Sequence, residues 1–309
     1  MDLYIAMPTE HVPVLAREVV ELLSPQPGAI FIDGTIGGGG HARLLWDRIQ
    51  PNGHLYGFEQ DSEAITALGP TPFIVSQTNF VTMQAVCDAW EITGRVQGIL
   101  LDLGYSSDQL KRGRGFSFRA LSEPLDLRMD LSRTTTAADL LNEGTTHMLV
   151  ELFRNYGELR QPQRLARVIA DWRLDHPIAT VADLIECVQQ AYHTSSSDVL
   201  AKVWQACRIA VNDELSTLQT TLAAALTVLS PGGRLAVITF HSLEDRIVKQ
   251  QFAQWSDTRC TCPPEWPICQ CQRQAQVIVL TKHPVLPSTE EQTNNPRSRS
   301  AKLRAIKKI

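Results

Sequence analysis

The segment that most constrains this chain is Asp33-Gly-Thr-Ile-Gly-Gly-Gly-Gly-His41, set directly behind the apolar run Ala29-Ile30-Phe31-Ile32. Four successive glycines, Gly37 to Gly40, carry a large conformational-entropy cost. A plain strand-to-helix turn does not require them. They let the backbone turn tightly and let a ligand approach it closely. A short buried strand, a glycine turn and a helix over 41–49 make the first unit of an open α/β sheet. In such sheets ligands bind outside the carboxyl ends of the strands.

The rest of the chain extends that pattern. Residues 12–23 have helical spacing of apolar positions. Strands are expected over 53–59, 72–76 and 96–103, with a short helix over 62–68 between the first two. The run over 96–103 is almost continuously apolar, as a parallel strand covered on both faces should be. Strands alternating with helices give a doubly wound α/β fold. The alternation stops at a long loop over 105–133, rich in Gly, Ser, Arg and Asp. Helices are then expected over 147–156, 161–175, 180–192 and 198–229, the last ended by Ser230-Pro-Gly-Gly233. The strand pattern returns over 234–240, followed by a helix over 242–254 and an edge strand over 275–281. The reading is therefore an α/β domain (1–110 and 209–309) interrupted by an all-helical, substrate-recognising insertion (111–208).

Composition narrows the function classes. The chain has 309 residues, 43% hydrophobic and 20% charged, which suits a full-sized core and argues against global disorder. The formal net charge is −4, so any nucleic-acid contact must use local basic patches. The first residues lack a signal-peptide pattern, and no apolar run is long enough to span a membrane. With an odd number of cysteines, seven, a disulfide framework is not expected, and the cytoplasm is the default.

The glycine turn alone does not separate nicotinamide dinucleotides from S-adenosylmethionine (SAM). Gly37-x-Gly39-x-x-Ala42 matches the dinucleotide fingerprint, and Glu59 lies where a ribose-binding acid belongs. Asp33 separates them. A carboxylate at the strand tip repels a pyrophosphate, whereas SAM carries an ammonium and a sulfonium that it attracts. Glu59 is placed to accept ribose hydroxyls, and Asp61 to cap the next helix. Asp102 ends the fourth strand and faces the same crevice. Phe80 is placed either to pack on an adenine or to fill the core.

Several further segments carry a resemblance. They are Asp33–His41, Gly98-Ile-Leu-Leu-Asp-Leu-Gly104 with Ser106, Ser107 and Gln109, and Arg114-Gly-Phe-Ser-Phe118. Others are Pro124-Leu-Asp-Leu-Arg-Met-Asp130, Tyr156-Gly-Glu158, Val237–Lys249 and Asn295–Arg304. From about His11 to the C-terminus the chain closely resembles the bacterial 16S ribosomal RNA (cytosine-N(4)) methyltransferases. The resemblance implies a Rossmann-like class I SAM-dependent sheet, SAM as donor and a cytidine in the decoding region of 16S RNA as acceptor. It places SAM contacts on Gly39, Gly40, His41, Glu59, Phe80, Asp102 and Gln109. Two positions depart from the family: Glu59 stands where Asp is common, and Gly38 where a non-glycine residue is common.

Methyl transfer from a sulfonium is an in-line displacement, so the protein chiefly aligns donor and nucleophile. Asp102 is expected to act on the acceptor amine. Tyr105 is expected to stack on the flipped base, with a packed loop aromatic as the alternative. His241 is expected to accept a proton or touch RNA, with Ser242 capping the helix that follows. Arg112, Arg114, Arg119 and Arg128, with the basic run Arg297, Arg299, Lys302, Arg304, Lys307 and Lys308, suit RNA phosphates; a solvated tail is the alternative for the run. Cys260, Cys262, Cys269 and Cys271 form either a zinc site of unusual spacing or a proline-stiffened loop of free thiols, and no metal is assigned. The partner implied is 16S RNA within an assembled small subunit; the chain is also compatible with a homodimer. The competing readings are a nicotinamide-dependent oxidoreductase, a non-catalytic RNA-binding protein that retains a SAM pocket, and a methyltransferase for a protein or small molecule.

Overall fold

The computed structural model describes residues 13–104, 113–194, 196–259, 262 and 274–309. The chain divides into two compact units, Met1–Gly104 with Leu218–Ile309, and Tyr105–Thr217. The first holds a sheet built from β1 (Ile30–Asp33), β2 (His54–Glu59), β3 (Ile74–Gln77), β4 (Val96–Asp102), β5 (Leu229–Thr239), β6 (Val277–Val279) and β7 (Lys302–Lys308). Its order is β3-β2-β1-β4-β5-β7-β6. Strands β1 to β5 run parallel, and β7 runs antiparallel to both β5 and β6. The order reverses at β1, which lies between β2 and β4, so the crevice beyond the carboxyl ends of these strands is the topological switch point.

Side-chain alternation explains the apolar runs. Ile32, Ile99, Leu101, Leu235 and Val237 pack into one core, while Phe31, Leu100, Ala236 and Ile238 pack into another. Both faces are covered, so successive residues are all buried. The second of these cores takes in α1 (Ala16–Leu23), α2 (Gly40–Ile49) and α3 (Ser62–Leu68) through Val19, Leu23, Leu45, Ile49 and Leu68. The first takes in α4 (Met83–Ala89), a short helix absent from the sequence reading, through Met83 and Cys87.

The second unit contains α5 (Ala137–Glu143), α6 (Thr146–Asn155), α7 (Pro162–Asp175), α8 (Val181–Tyr192) and α9 (Ser197–Asn212). Thr136 with Asp139 and Thr180 with Asp183 form capping boxes at α5 and α8, and Pro162 opens α7. The unit has its own core, including Leu141, Phe153, Leu165, Ile169, Leu184 and Val203. Two of the arginines in the preceding loop have protein partners. Arg128 binds both oxygens of Asp126 at 2.7 and 2.8 Å and donates to the Arg133 carbonyl. Arg114 donates to the Arg128 carbonyl and lies 5.7 Å over the Phe116 ring. Both are spent on holding the loop. Arg119 is exposed, and Arg112 lies outside the described residues. Asn212 anchors the same loop. Its side chain donates to the Leu127 carbonyl and accepts from the Met129 N–H, both at 2.8 Å, and so fixes buried Leu127 at φ 59°.

The single helix expected over 198–229 is two. Asp213 adopts a left-handed conformation (φ 54°) after α9, and α10 (Glu214–Val228) follows. The Ser230-Pro-Gly-Gly segment does stop α10, but it also enters β5 as a bulge. Val96 pairs with Leu229, while Gly98 pairs with Arg234. After β5 comes α11 (Ser242–Ser256), whose N-cap is His241 rather than Ser242. The basic C-terminal run is not a solvated tail: Arg297 and Arg299 are exposed, but the residues from Lys302 onward are built into the sheet. After α12 (Thr289–Asn294) and a short 3-10 turn at Pro296–Ser300, it enters the sheet interior as β7. Arg304 is buried and paired with Asp245 at 2.6 Å; Lys302 lies 3.5 Å from the same acid. The Lys308 ammonium donates to the carbonyls of Leu226 and Leu229. Charge density marked this segment as surface, but its alternating Leu303 and Ala305 with Ile306 bury it between two strands.

Gly98 sits where β4 crosses the Phe31 ring; a Cβ there would lie 2.1 Å from that ring. Gly98→Ala should therefore cost about 3 kcal/mol, the upper end of ordinary overpacking, read as a lower urea midpoint at unchanged slope. Phe31→Leu in the same chain should recover part of the loss.

Candidate cofactor and catalytic site

Parallel register gathers three acids. Asp33 ends β1 opposite Gly57 of β2 and Leu100 of β4. Each neighbour runs two residues further and ends in an acid, Glu59 and Asp102. The three carboxyl groups thus rim the switch point, beside the glycine turn. Asp33 is 1% exposed. Burial pushes its carboxyl up to about 6, with Asp102 and Glu59 adding to the rise.

The turn is fitted to these acids. The Asp33 Oδ1 accepts the Thr35 N–H at 3.1 Å, and the Thr35 hydroxyl accepts the Asp102 N–H at 2.6 Å. Thr35 is therefore a site residue that the sequence reading missed. Its only signal is its place two residues after an Asp, where Asx turns form. Glu59 reaches across the turn: Oε2 accepts the Gly37 N–H at 3.2 Å and Oε1 the Asp61 N–H at 2.9 Å. The longer side chain at this position spans what an Asp would have to approach more closely. Asp61 caps α3 as expected, accepting the Glu63 N–H at 3.0 Å.

The glycines divide by purpose. Gly37 and Gly39 have φ of 46° and 75°, a region costly for other residues. A Cβ on Gly39 would lie 2.6 Å from Leu68, and one on Gly40 would lie 3.3 Å from Pro13. Gly38 has nothing near its missing side chain, and its carbonyl accepts from Arg43 at 2.7 Å. The glycines thus allow the tight turn and its close packing against Leu68 and Pro13, and leave space open at Gly38.

His41, in the first turn of α2, is buried. Its Nε2 donates to the Val14 carbonyl at 2.8 Å, and its Nδ1 lies 3.6 Å from Asp102. Burial lowers its pKa, which favours the neutral ring. With the proton fixed on Nε2 by a carbonyl that can only accept, Nδ1 presents a lone pair toward the acids. Phe80 opens a 3-10 turn after β3 and is half-buried against the core that contains Met83 and Leu101.

His241 is engaged within its own helix. Its Nδ1 accepts the Glu244 N–H at 3.4 Å, and its Nε2 lies 3.1 Å from Glu244 Oε1. It completes a capping box, a positioning task rather than evident proton transfer. Tyr105 and Gln109 lie outside the described residues, as do Cys260, Cys269 and Cys271; Cys262 is partly exposed. No helix among the described residues is long and apolar enough to cross a membrane.

Three mutually repelling carboxyls and an imidazole lone pair, beside backbone donors, fit a ligand that is cationic at one end and polar at the other. SAM has this character: its amino and sulfonium groups are positive, and its ribose and carboxylate accept or donate hydrogen bonds. A dinucleotide pyrophosphate does not fit, because its charge has the same sign as the rim.

Comparison with known proteins agrees with this chemistry. The chain is 45% identical to the ribosomal RNA small subunit methyltransferase H of Symbiobacterium thermophilum, over 98% of each chain. It is 45% identical to the protein of the same name from Syntrophotalea carbinolica, over 97% of this chain and 98% of that one. It is 43% identical to that of Geotalea daltonii, over 97% and 99%. The family model described as the MraW methylase family matches residues 8–309, and the chain belongs to that family.

Proposed function

We propose that the protein transfers a methyl group from SAM to the exocyclic N(4) amine of a cytidine in small-subunit ribosomal RNA. The observation that carries this reading is the convergence of Asp33, Glu59 and Asp102 around the glycine turn at the switch point. Family membership and the names of the relatives support the RNA acceptor. SAM supplies an electrophilic methyl on a sulfonium that is its own leaving group. The protein's residues bind and align. Asp33 and the lone pair on His41 favour positive charge at the base of the site. Glu59, each oxygen holding one backbone N–H, keeps further acceptor capacity for hydroxyls. The cytosine amine is a poor nucleophile because its lone pair is delocalised. Asp102 accepts a hydrogen bond from it, holds it in line and takes up developing positive charge. The helical unit recognises the RNA, and the acceptor stands within an assembled small subunit, in the cytoplasm.

Incubation with methyl-labelled SAM and small subunits from a strain lacking its own enzyme should place label in N(4)-methylcytidine. Asp102→Ala should lose that label and still fold. A non-catalytic RNA-binding protein would give no label in either case.

Asp33 gives a second expectation. Its folded value of about 6 lies above the ordinary 3.8. The stabilisation from its protonated form is therefore full below about 4 and lost as pH rises through about 6. Asp33→Asn should make the ligand-free protein more stable at pH 8, by up to roughly 3 kcal/mol from two pKa units, and about equal near pH 4. The same variant should bind SAM more weakly at pH 8. Thermal unfolding across pH and equilibrium binding measure the two effects.

A further inference from the structure

Apart from Arg119, an isolated exposed arginine of the loop, the described arginines of the helical unit fall into two groups. Arg114, Arg128, Arg133, Arg154, Arg173 and Arg208 are each tied to a protein partner: Arg154 to Glu151, Arg208 to Glu214, Arg173 to the carbonyls of Leu141 and Gly144 at the end of α5. Arg160, Arg164 and Arg167 are different. All three are exposed, and among the described residues their guanidinium groups make no ion pair or hydrogen bond. They stand together at one end of one element: Arg160 two residues before α7, Arg164 and Arg167 three apart within it. Asp171 lies one turn beyond Arg167 but forms no ion pair with it.

This placement is unfavourable for folding. The first turn of a helix carries partial positive charge, and cations there are destabilising. Like charges three apart on a helix repel. The first turn of α7 holds no acid, and its N-cap Gln161 makes no side-chain cap bond. Arg160 and Arg164 thus add to an uncompensated positive helix end, with Arg167 just beyond the first turn, in a chain whose net charge is −4. An aromatic ring borders them. The Tyr192 hydroxyl donates to the Gln161 carbonyl at 3.1 Å, and the Arg164 charge acts on that phenol. A local positive focus with an adjacent aromatic, set in an acidic protein and without partners of its own, matches the chemistry of a polyanionic backbone. Of the loop and tail arginines that the sequence offered for that purpose, Arg114, Arg128 and Arg304 are held inside the fold, whereas Arg119, Arg297 and Arg299 are exposed.

We propose that Arg160, Arg164 and Arg167 form a phosphate-contacting face through which the helical unit grips the RNA backbone. This rests on the RNA acceptor proposed above. The face positions the substrate and carries no base specificity, because phosphate contacts fix register without reading sequence.

The test is binding of the full chain to naked small-subunit RNA and to assembled subunits across a range of salt concentrations. Arg160→Gln/Arg164→Gln/Arg167→Gln is compared with wild type and with the triple Lys variant. The neutral triple variant should bind naked RNA at least about tenfold more weakly at low salt. Its slope of log affinity against log salt should flatten by about 2 to 3, one phosphate contact per arginine. The Lys triple should keep most of the wild-type slope, and SAM binding should be unchanged in both, which reports correct folding. An unchanged slope in the neutral triple, with wild type active on RNA, overturns the face and leaves the function standing. Normal binding to naked RNA with loss on assembled subunits gives the face to a protein and also overturns it. Wild type that neither binds nor methylates RNA overturns both proposals.

Discussion

The site depends on one electrostatic conflict: three carboxyl groups brought together at the ends of β2, β1 and β4, the central one almost wholly out of water. Register produces it. Asp33 lies opposite Gly57 and Leu100, and the strands on either side each run on two residues to an acid. Apolar alternation on both faces fixes that register, because a one-residue slip would exchange Phe31 with Ile32 and Leu100 with Leu101 between the two cores. The packing that stabilises the sheet is therefore the same packing that holds like charges together. Buried carboxyls without a cation are costly. The protein meets part of that cost with the Thr35 N–H on Asp33, the Gly37 and Asp61 N–H groups on Glu59, and a rise in the Asp33 pKa. A cationic ligand relieves the remainder.

Much of this was legible in the sequence because it rests on local signals. The glycine turn and the acids at strand ends are contiguous with apolar runs, and a strand's polarity fixes which end faces the crevice. The helices α6, α7 and α8 were legible in the sequence, whereas α5 was not placed and α9 was merged with α10. Local signals do not reveal which side chain pairs with which across the fold. Arg304 reads as surface until Asp245 is seen beside it, and Arg128 reads as free until Asp126 is. The break at Asp213 depends on a left-handed residue whose composition gives no warning. The sequence places the cap of α11 on Ser242, and the structure places it on His241.

The partners of the arginines bear on where the RNA backbone is held. A count of basic residues favours the C-terminal run and the long loop. At the start of α7, by contrast, a cluster of positive charge is both exposed and unpaired. The fold thus separates two electrostatic tasks along the chain. An acidic rim centred on buried Asp33 serves a small cation, and a basic, exposed face serves a polyanion.

The most direct test of the acid rim is calorimetric titration with SAM at pH 6 in buffers of different ionisation enthalpy. If a cation settles against Asp33, binding lowers that carboxyl's pKa, and a fraction of a proton leaves the protein with each ligand bound. The observed heat should then vary with the buffer in wild type and lose that component in Asp33→Asn. Binding with no proton released at pH 6, or with proton uptake, would contradict the claim that this site is built to meet positive charge.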